Sequence, residues 1–129
     1  MSNDRIAAFL NAAGNGELDL SEGSVYGFCR KFAGASEESI RHLEDELLIR
    51  NVVATDATTV TVNGEQNYIR NFSAGDTVVY HAMGGKSIEA LKGLDFLERY
   101  AGTLVHDHET ALYHFGTDHA ECNVHIIHK

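Results

Sequence analysis

The sequence predicts an α+β protein with a helical N-terminal segment, residues 1–50, followed by a sheet-containing core, residues 51–129. Apolar residues recur at helical spacing before residue 50. β-branched residues then dominate the next stretch, and two later apolar segments with strand character follow helical patterns. A chain of 129 residues can bury one hydrophobic core, and its 43% hydrophobic and 22% charged residues argue against wholesale disorder.

Three helices are expected in the N-terminal segment. Asn3 can cap the first helix, and the stretch Gly14-Asn15-Gly16 can end it. Ser21 and Ser36 are the expected N-caps of the second and third helices, with Gly34 as the stop between them. The stripes of these two helices are expected to pack inward, or alternatively to form an interaction face: Val25, Phe28, Cys29 and Phe32, then Ile40, Leu43 and Leu47.

The strands begin at residue 52. Val52–Val62 is rich in β-branched residues and reads as one strand, and Asn63-Gly64 favours a type I′ hairpin turn into a second. The remaining predicted elements are a second strand over 66–72, a turn over 73–76, a third strand over 77–82, a helix capped by Ser87 and closed near Gly102, a strand over Thr103–His106, a helix over 109–115 and a last strand over 121–127.

The resulting order, βββαβαβ, describes a ribonuclease-H-like arrangement: three antiparallel strands, a crossover helix and a parallel fourth strand beside the first. Asp56 lies in the first strand and Asp107 directly follows the fourth, so the two acids should be neighbours. Like charges placed together repel unless a positive charge lies between them. A divalent cation supplies that charge, and carboxylate oxygens suit Mg²⁺ or Mn²⁺.

Net charge, apolar run length and cysteine count argue against several classes of protein. The formal net charge of −9 argues against a whole-chain nucleic-acid binder, because phosphate contacts come from Lys and Arg. The sequence contains no apolar run of about 18 residues and no secretory signal pattern, which predicts a cytoplasmic protein without a membrane partner. Cys29 and Cys122 are too few and too far apart to form a disulfide framework.

Two stretches carry a family resemblance: ATDATTVTVNGEQNYIRNFS from residue 54, and LERYAGTLVHDHETALYHFGTDHAECNVHII from residue 97. They resemble the catalytic region of bacterial transposases of the insertion-sequence sixty-six family, DDE transposases with a ribonuclease-H-like core. The resemblance covers roughly residues 20–129 and is strongest over 54–72 and 100–127. Both aspartates occur in order, with the expected strands and helix between them.

The resemblance implies metal-dependent DNA cleavage and strand transfer in transposition. Asp56 matches the first catalytic, metal-binding acid and Asp107 the second, while Cys122 and His125 match a Cys-x-x-His downstream. Two Mg²⁺ or Mn²⁺ ions are expected in the complete enzyme. The family's third acid, a glutamate, and its basic and zinc-binding N-terminal regions have no counterpart here. We therefore interpret the sequence as a truncated fragment of the catalytic core and expect its catalytic activity in isolation to be weak or absent.

The acidic residues also have simpler, non-catalytic interpretations. Asp56 could be a solvent-facing side chain on an edge strand, and Asp107 could merely cap the following helix. A third metal ligand could come from Glu109, Glu121 or Glu89, although Glu89 also fits a helix first turn, where the dipole favours an acid.

Six of the eight histidines fall near the end of the sequence: His106, His108, His114, His119, His125 and His128. Zinc bound by Cys122, His125, His119 and a fourth ligand is the less favoured reading, because one Cys-x-x-His pair is weak evidence without a second pair. The competing function is a non-catalytic interaction module. It would bind another copy of the chain, or a full-length transposase, through an uncovered sheet face.

Overall fold

A five-stranded mixed sheet organises the second part of the chain in the computed structural model, which describes residues 1–122. The elements, in order, are α1 (Asn3–Ala13), α2 (Glu22–Leu48), β1 (Val52–Val62), β2 (Glu65–Ala74), β3 (Thr77–Met83), α3 (Ile88–Lys92), α4 (Phe96–Arg99), β4 (Thr103–His106), a 3₁₀ helix (Thr110–His114) and β5 (Asp118–Glu121). Among the described residues, no helix is long and apolar enough to cross a membrane.

The chain forms two units, Met1–Ser39 and Ile40–Lys129. In the first unit, the Asn11 side chain bonds the backbone of Leu20 twice, accepting from its N–H at 2.8 Å and donating to its carbonyl at 2.9 Å. This pairing fixes the connection between the two helices. Ala7 and Val25 are buried in the described structure. The proposed domain division at residue 50 remains a prediction.

The sheet in the second unit has the predicted topology. Its strand order is β3-β2-β1-β4-β5. The pairs β1–β2 and β2–β3 are antiparallel, whereas β1–β4 and β4–β5 are parallel. The Asn63-Gly64 hairpin has positive φ at both residues, 53° and 81°, as a type I′ turn requires. This is the predicted α+β layout, with a ribonuclease-H-like strand arrangement.

The two faces of the sheet differ in burial. One face carries Val53, Phe72, Val79 and Leu104, which pack with apolar residues of the end of α2, of α3, of α4 and of the 3₁₀ helix. The other face, here called the open face, includes Asp56 and Asn71 on paired positions of β1 and β2. Its apolar side chains remain accessible: Ile69 is 40%, Val78 43% and Tyr80 66% exposed.

The helical predictions for the N-terminal segment need correction. The cap of α1 is Ser2, not Asn3, since the Ser2 side chain accepts from the Arg5 N–H. The predicted second and third helices are one continuous α2. Gly34 does not stop it, and Ser36 is not a cap but donates its hydroxyl to the Phe32 carbonyl one turn earlier, at 2.7 Å.

Most of the predicted inward stripe of the second helix is exposed. Phe28 is 54% and Phe32 75% exposed, and Cys29 is also exposed. Within the third-helix stripe, Leu47 is fully buried, whereas Ile40 and Leu43 are each 37% exposed. The helical period was therefore correct, but it does not identify which positions find a packing partner.

Later elements also differ from prediction. The crossover helix is split into α3 and α4, and Asp95 between them adopts a positive φ of 59°. The predicted helix over 109–115 is the shorter 3₁₀ helix. β2 extends through Ala74, and β5 begins at Asp118 and ends at Glu121, so it is shifted from the predicted 121–127. Residues 123–127 of that prediction lie outside the described structure.

Candidate metal site on the open sheet face

Two carboxylates from neighbouring parallel strands line one cavity on the open face. The parallel ladder pairs Val53 with Leu104 and Ala54 with Val105. Two residues further along each chain come Asp56 and Asp107, so the register places the acids side by side on the same face. Both line a cavity of about 270 Å³. The structure thus brings the sequence-predicted pair together.

Asp56 lies within β1, opposite Asn71 of β2. Its side chain is exposed, and its Oδ1 accepts the N–H of Ala57 at 2.8 Å. Because the strand directs this residue to the open face, the carboxylate remains hydrated and avoids the cost of burying a charge. It has access to solvent and to any ligand that approaches this face.

Asp107 directly follows β4 and is partly buried. Sequence reasoning left open that Asp107 merely caps the next helix. In the structure, the N-cap position of the 3₁₀ helix belongs to Glu109, and no side-chain cap bond forms there. Helix capping therefore does not account for the position of Asp107.

The remaining cavity lining includes two neutral oxygen-bearing side chains on the open face, those of Asn71 and Ser73. The other lining residues are Ala54, Thr55, Val105, His106 and Cys122, and the Thr55 hydroxyl faces the core side of the sheet, where it accepts from Arg70. Carboxylate, amide and hydroxyl oxygens are the donors preferred by Mg²⁺ and Mn²⁺, so the donor set fits such an ion. Over residues 1–122, no group of three or more His, Cys, Asp and Glu residues is arranged to hold a metal by itself.

Beneath the two acids lies a buried ion pair that sequence reasoning missed. The guanidinium Nη2 of Arg70 is 2.7 Å from each carboxylate oxygen of Glu109, and its Nη1 donates to Thr55 Oγ1 at 3.1 Å. The Arg70 side chain is completely buried. The available signal was its alternation with buried Phe72, which places an arginine at a core-facing position of β2.

The structure places the three suggested third ligands elsewhere. Both oxygens of Glu109 accept from Arg70. Glu121 Oε1 accepts from the Tyr113 hydroxyl at 2.5 Å and lies 2.5 Å from His108 Nδ1. The hydrogen bond from Tyr113 is the main reason that the pKa of Glu121 is lowered. Glu89 occupies the first turn of α3, the position expected of a helix acid.

Histidines cluster next to this site. His106 Nε2 lies 3.1 Å from His119 Nδ1, and the two rings meet edge to face. Burial, followed by the proximity of His119, lowers the pKa of His106. Cys122 lines the cavity. His125 and His128 lie outside the described residues, so zinc binding by Cys122 and His125 remains an unfavoured prediction.

A larger cavity, of about 520 Å³, lies next to α3, α4 and the 3₁₀ helix, lined by Lys92, Leu97, Glu98, Tyr100, His114, Phe115 and Gly116. It contains a single carboxylate, from Glu98. The smaller cavity is the better metal site, because two carboxylates converge on it.

Residues 1–129 match the Transposase IS66 family. No curated protein matches the sequence. No solved structure matches it either.

Proposed function

Because the chain belongs to the Transposase IS66 family, we propose that it carries part of the catalytic centre for DNA cleavage and strand transfer, with Asp56 and Asp107 binding the catalytic metal. The observation that carries this proposal is the convergence of the two aspartates on one cavity from neighbouring parallel strands. Open α/β sheets commonly place their sites at the carboxyl ends of parallel strands, which is where Asp107 lies.

The chemistry of the site supports Mg²⁺ or Mn²⁺. A bound divalent ion would polarise the phosphodiester and activate the attacking oxygen. Asp56 and Asp107 would hold the ion, and Asn71 would lie beside it. The exposed position of Asp56 suits a substrate as large as a DNA strand, which could not enter a closed pocket.

We expect the 129-residue chain alone to cleave DNA weakly or not at all. Only two carboxylates line the cavity among the described residues. Ligands of a two-metal site act as a unit, and the loss of one costs far more than its share. Metal binding is therefore a better test than DNA cleavage.

The test is a Mn²⁺ titration by calorimetry of the wild type, Asp56→Asn and Asp107→Asn. We expect saturable binding by the wild type and a loss of affinity of at least about tenfold in either variant, the lower end of the range seen when even indirect metal partners are removed. Asp76→Asn, which removes an exposed acid in the β2–β3 turn, is the matched control and should bind as the wild type does. Equal binding by all four proteins would refute the proposal.

A second candidate function is an interaction module, favoured by the apolar residues Ile69, Val78 and Tyr80 on the open face. Exposed apolar patches mark protein interaction sites when they are contiguous. In this alternative, the face pairs with another copy of the chain or with a full-length transposase.

Sedimentation velocity over a range of concentrations separates the two candidates. A dimer that Ile69→Lys with Tyr80→Lys dissociates, and that Phe32→Ser in the first unit leaves intact, would favour the module. A monomer at all concentrations would exclude self-association.

A further inference from the structure

We propose that Arg70 is a positioning residue that sets the placement of Asp56 and Asp107 by joining the two chain segments that carry them. Arg70 is not among the residues that line the cavity. It acts through Thr55 and Glu109, and this inference rests on the metal-binding function proposed above.

The contacts of Arg70 reach both acid-bearing segments. Nη1 donates to the hydroxyl of Thr55, the residue directly before Asp56 in β1. Nη2 holds both oxygens of Glu109, two residues after Asp107. One rigid guanidinium on β2 therefore ties the middle of β1 to the segment that leaves β4.

This link is important because the ladder between β1 and β4 is short. Its pairs end at Ala54 and Val105, so both acids lie beyond the paired residues. On the core side of the sheet, Arg70 provides a connection where the ladder no longer does. The acids face the opposite side, so the guanidinium can fix their backbone without occupying their cavity.

The burial of the ion pair favours a role in placement over a role in stability. Arg70 is fully buried, and the Glu109 side chain is 14% exposed. Removing two charges from water costs about as much as their attraction returns, and well-packed apolar residues often replace such pairs with no loss of stability. What an apolar pair cannot replace is the direction of three charge-assisted contacts.

Lysine should not substitute for arginine here. The two terminal nitrogens of Arg70 contact different segments, Nη1 toward Thr55 and Nη2 toward Glu109. A lysine has one nitrogen at the end of a flexible stem, so it keeps the charge but not the fixed fork. Arg70→Lys therefore tests geometry separately from charge.

The decisive variant is the double substitution Arg70→Met with Glu109→Leu, which replaces the ion pair by apolar residues of similar size. We expect its thermal unfolding midpoint to equal or exceed that of the wild type, while its Mn²⁺ affinity is about 10- to 100-fold lower, the range typical of indirect metal partners. We expect Arg70→Lys to lower the Mn²⁺ affinity as well. Val79→Ala, a core change in β3, should lower the midpoint and leave the Mn²⁺ affinity unchanged.

Hydrogen exchange of the metal-free protein supplies a second readout. In the double variant, the amide of Leu112, which donates to the Glu109 carbonyl at 3.0 Å, should exchange faster, while those in the β1–β2 ladder keep their protection. A double variant that binds Mn²⁺ as the wild type does would overturn the positioning role and leave the proposed metal site standing. A wild type that binds no Mn²⁺ would refute the metal site, and the positioning role with it.

Discussion

Asp56 occupies a position at which aspartate is normally disfavoured, the interior of a β-strand. The register resolves the conflict by turning the side chain to the open face, opposite Asn71, where water reaches it. A residue that breaks a local preference without being buried is a candidate functional residue. The same register brings Asp107 beside it, so one feature of the sheet accounts for both acids.

Mn²⁺ binding should raise the stability of the folded chain. A ligand that binds only the folded state stabilises it by mass action, so Mn²⁺ at 100 times its dissociation constant should add about 2.7 kcal/mol to the free energy of unfolding. Thermal melts followed by circular dichroism, with and without Mn²⁺, measure the shift. Asp107→Asn, with at least about tenfold weaker binding, should reduce the gain to about 1.4 kcal/mol or less at the same Mn²⁺ concentration, and Asp76→Asn should retain it in full. A shift of full size in Asp107→Asn would place the metal elsewhere.

At the scale of elements, α2 runs through a glycine and a serine that usually punctuate helices. A Cβ added at Gly34 would have no atom within 4 Å apart from its chain neighbours and the nearby backbone of its own helix, so an alanine has room there. We expect Gly34→Ala to raise the free energy of unfolding by about 0.5–1 kcal/mol, because glycine loses more backbone entropy in a helix.

Urea denaturation of Gly34→Ala checks that expectation, with Gly64→Ala as its counterpart. Gly64 has a positive φ of 81° in the hairpin, so an alanine there should destabilise the chain. Destabilisation by Gly34→Ala would instead indicate a helix end at Gly34 and contradict the continuous helix.

Tyr100 connects the starts of the two central parallel strands. Its hydroxyl contacts the carbonyls of Arg50 and Thr103 at 3.0 and 3.2 Å, and burial raises its pKa above the ordinary value of 10.0. The unfolded chain releases this proton at lower pH than the folded chain does. The stabilising contribution of the hydroxyl is therefore complete below pH 10 and lost as the pH rises through the raised value.

We expect Tyr100→Phe to cost about 0.5–1.5 kcal/mol of stability at neutral pH, the usual net value of a hydrogen bond. Urea denaturation at a series of pH values should show this difference from the wild type shrinking above pH 10. Tyr26→Phe, which alters an exposed ring, is the control and should show little effect at any pH. A difference that grows above pH 10 would contradict the burial of the hydroxyl.

The first strand and its hairpin were predictable because their signals are local, whereas β5 is shifted from its predicted position. β-branched residues and the Asn63-Gly64 turn determine β1 and its hairpin, and the predicted bounds of β1 and β4 match those observed. The helices were less predictable, since Gly34 and Ser36 have the residue types of helix ends but lie within α2. The break between α3 and α4 depends on the backbone at Asp95, which leucine spacing does not reveal.

Part of the candidate site was also predictable from the sequence, and part was not. The aspartate pair follows from strand order and the position of each acid along its strand. The contact between Arg70 and Glu109 does not, because it joins residues far apart in sequence through a core that only the folded sheet creates. From the sequence, Glu109 was a possible metal ligand. In the structure, both of its carboxylate oxygens accept from Arg70 instead.

At the scale of the whole molecule, the net charge of −9 opposes binding to DNA. We expect the 129-residue chain to bind a labelled DNA duplex with a dissociation constant weaker than about 10⁻⁴ M at physiological salt, the weak end of non-specific binding. Fluorescence anisotropy measures this. Micromolar or tighter binding would show that the arrangement of charges, not their sum, governs contact with DNA.

The most direct test of the account is a crystal structure of the chain grown with Mn²⁺, using the anomalous signal of manganese to locate the ion. We predict a peak in the cavity on the open face, with carboxylate oxygens of both Asp56 and Asp107 as ligands. A peak bound by other residues, or an empty cavity at saturating Mn²⁺, would contradict the claim that these two aspartates form a metal site.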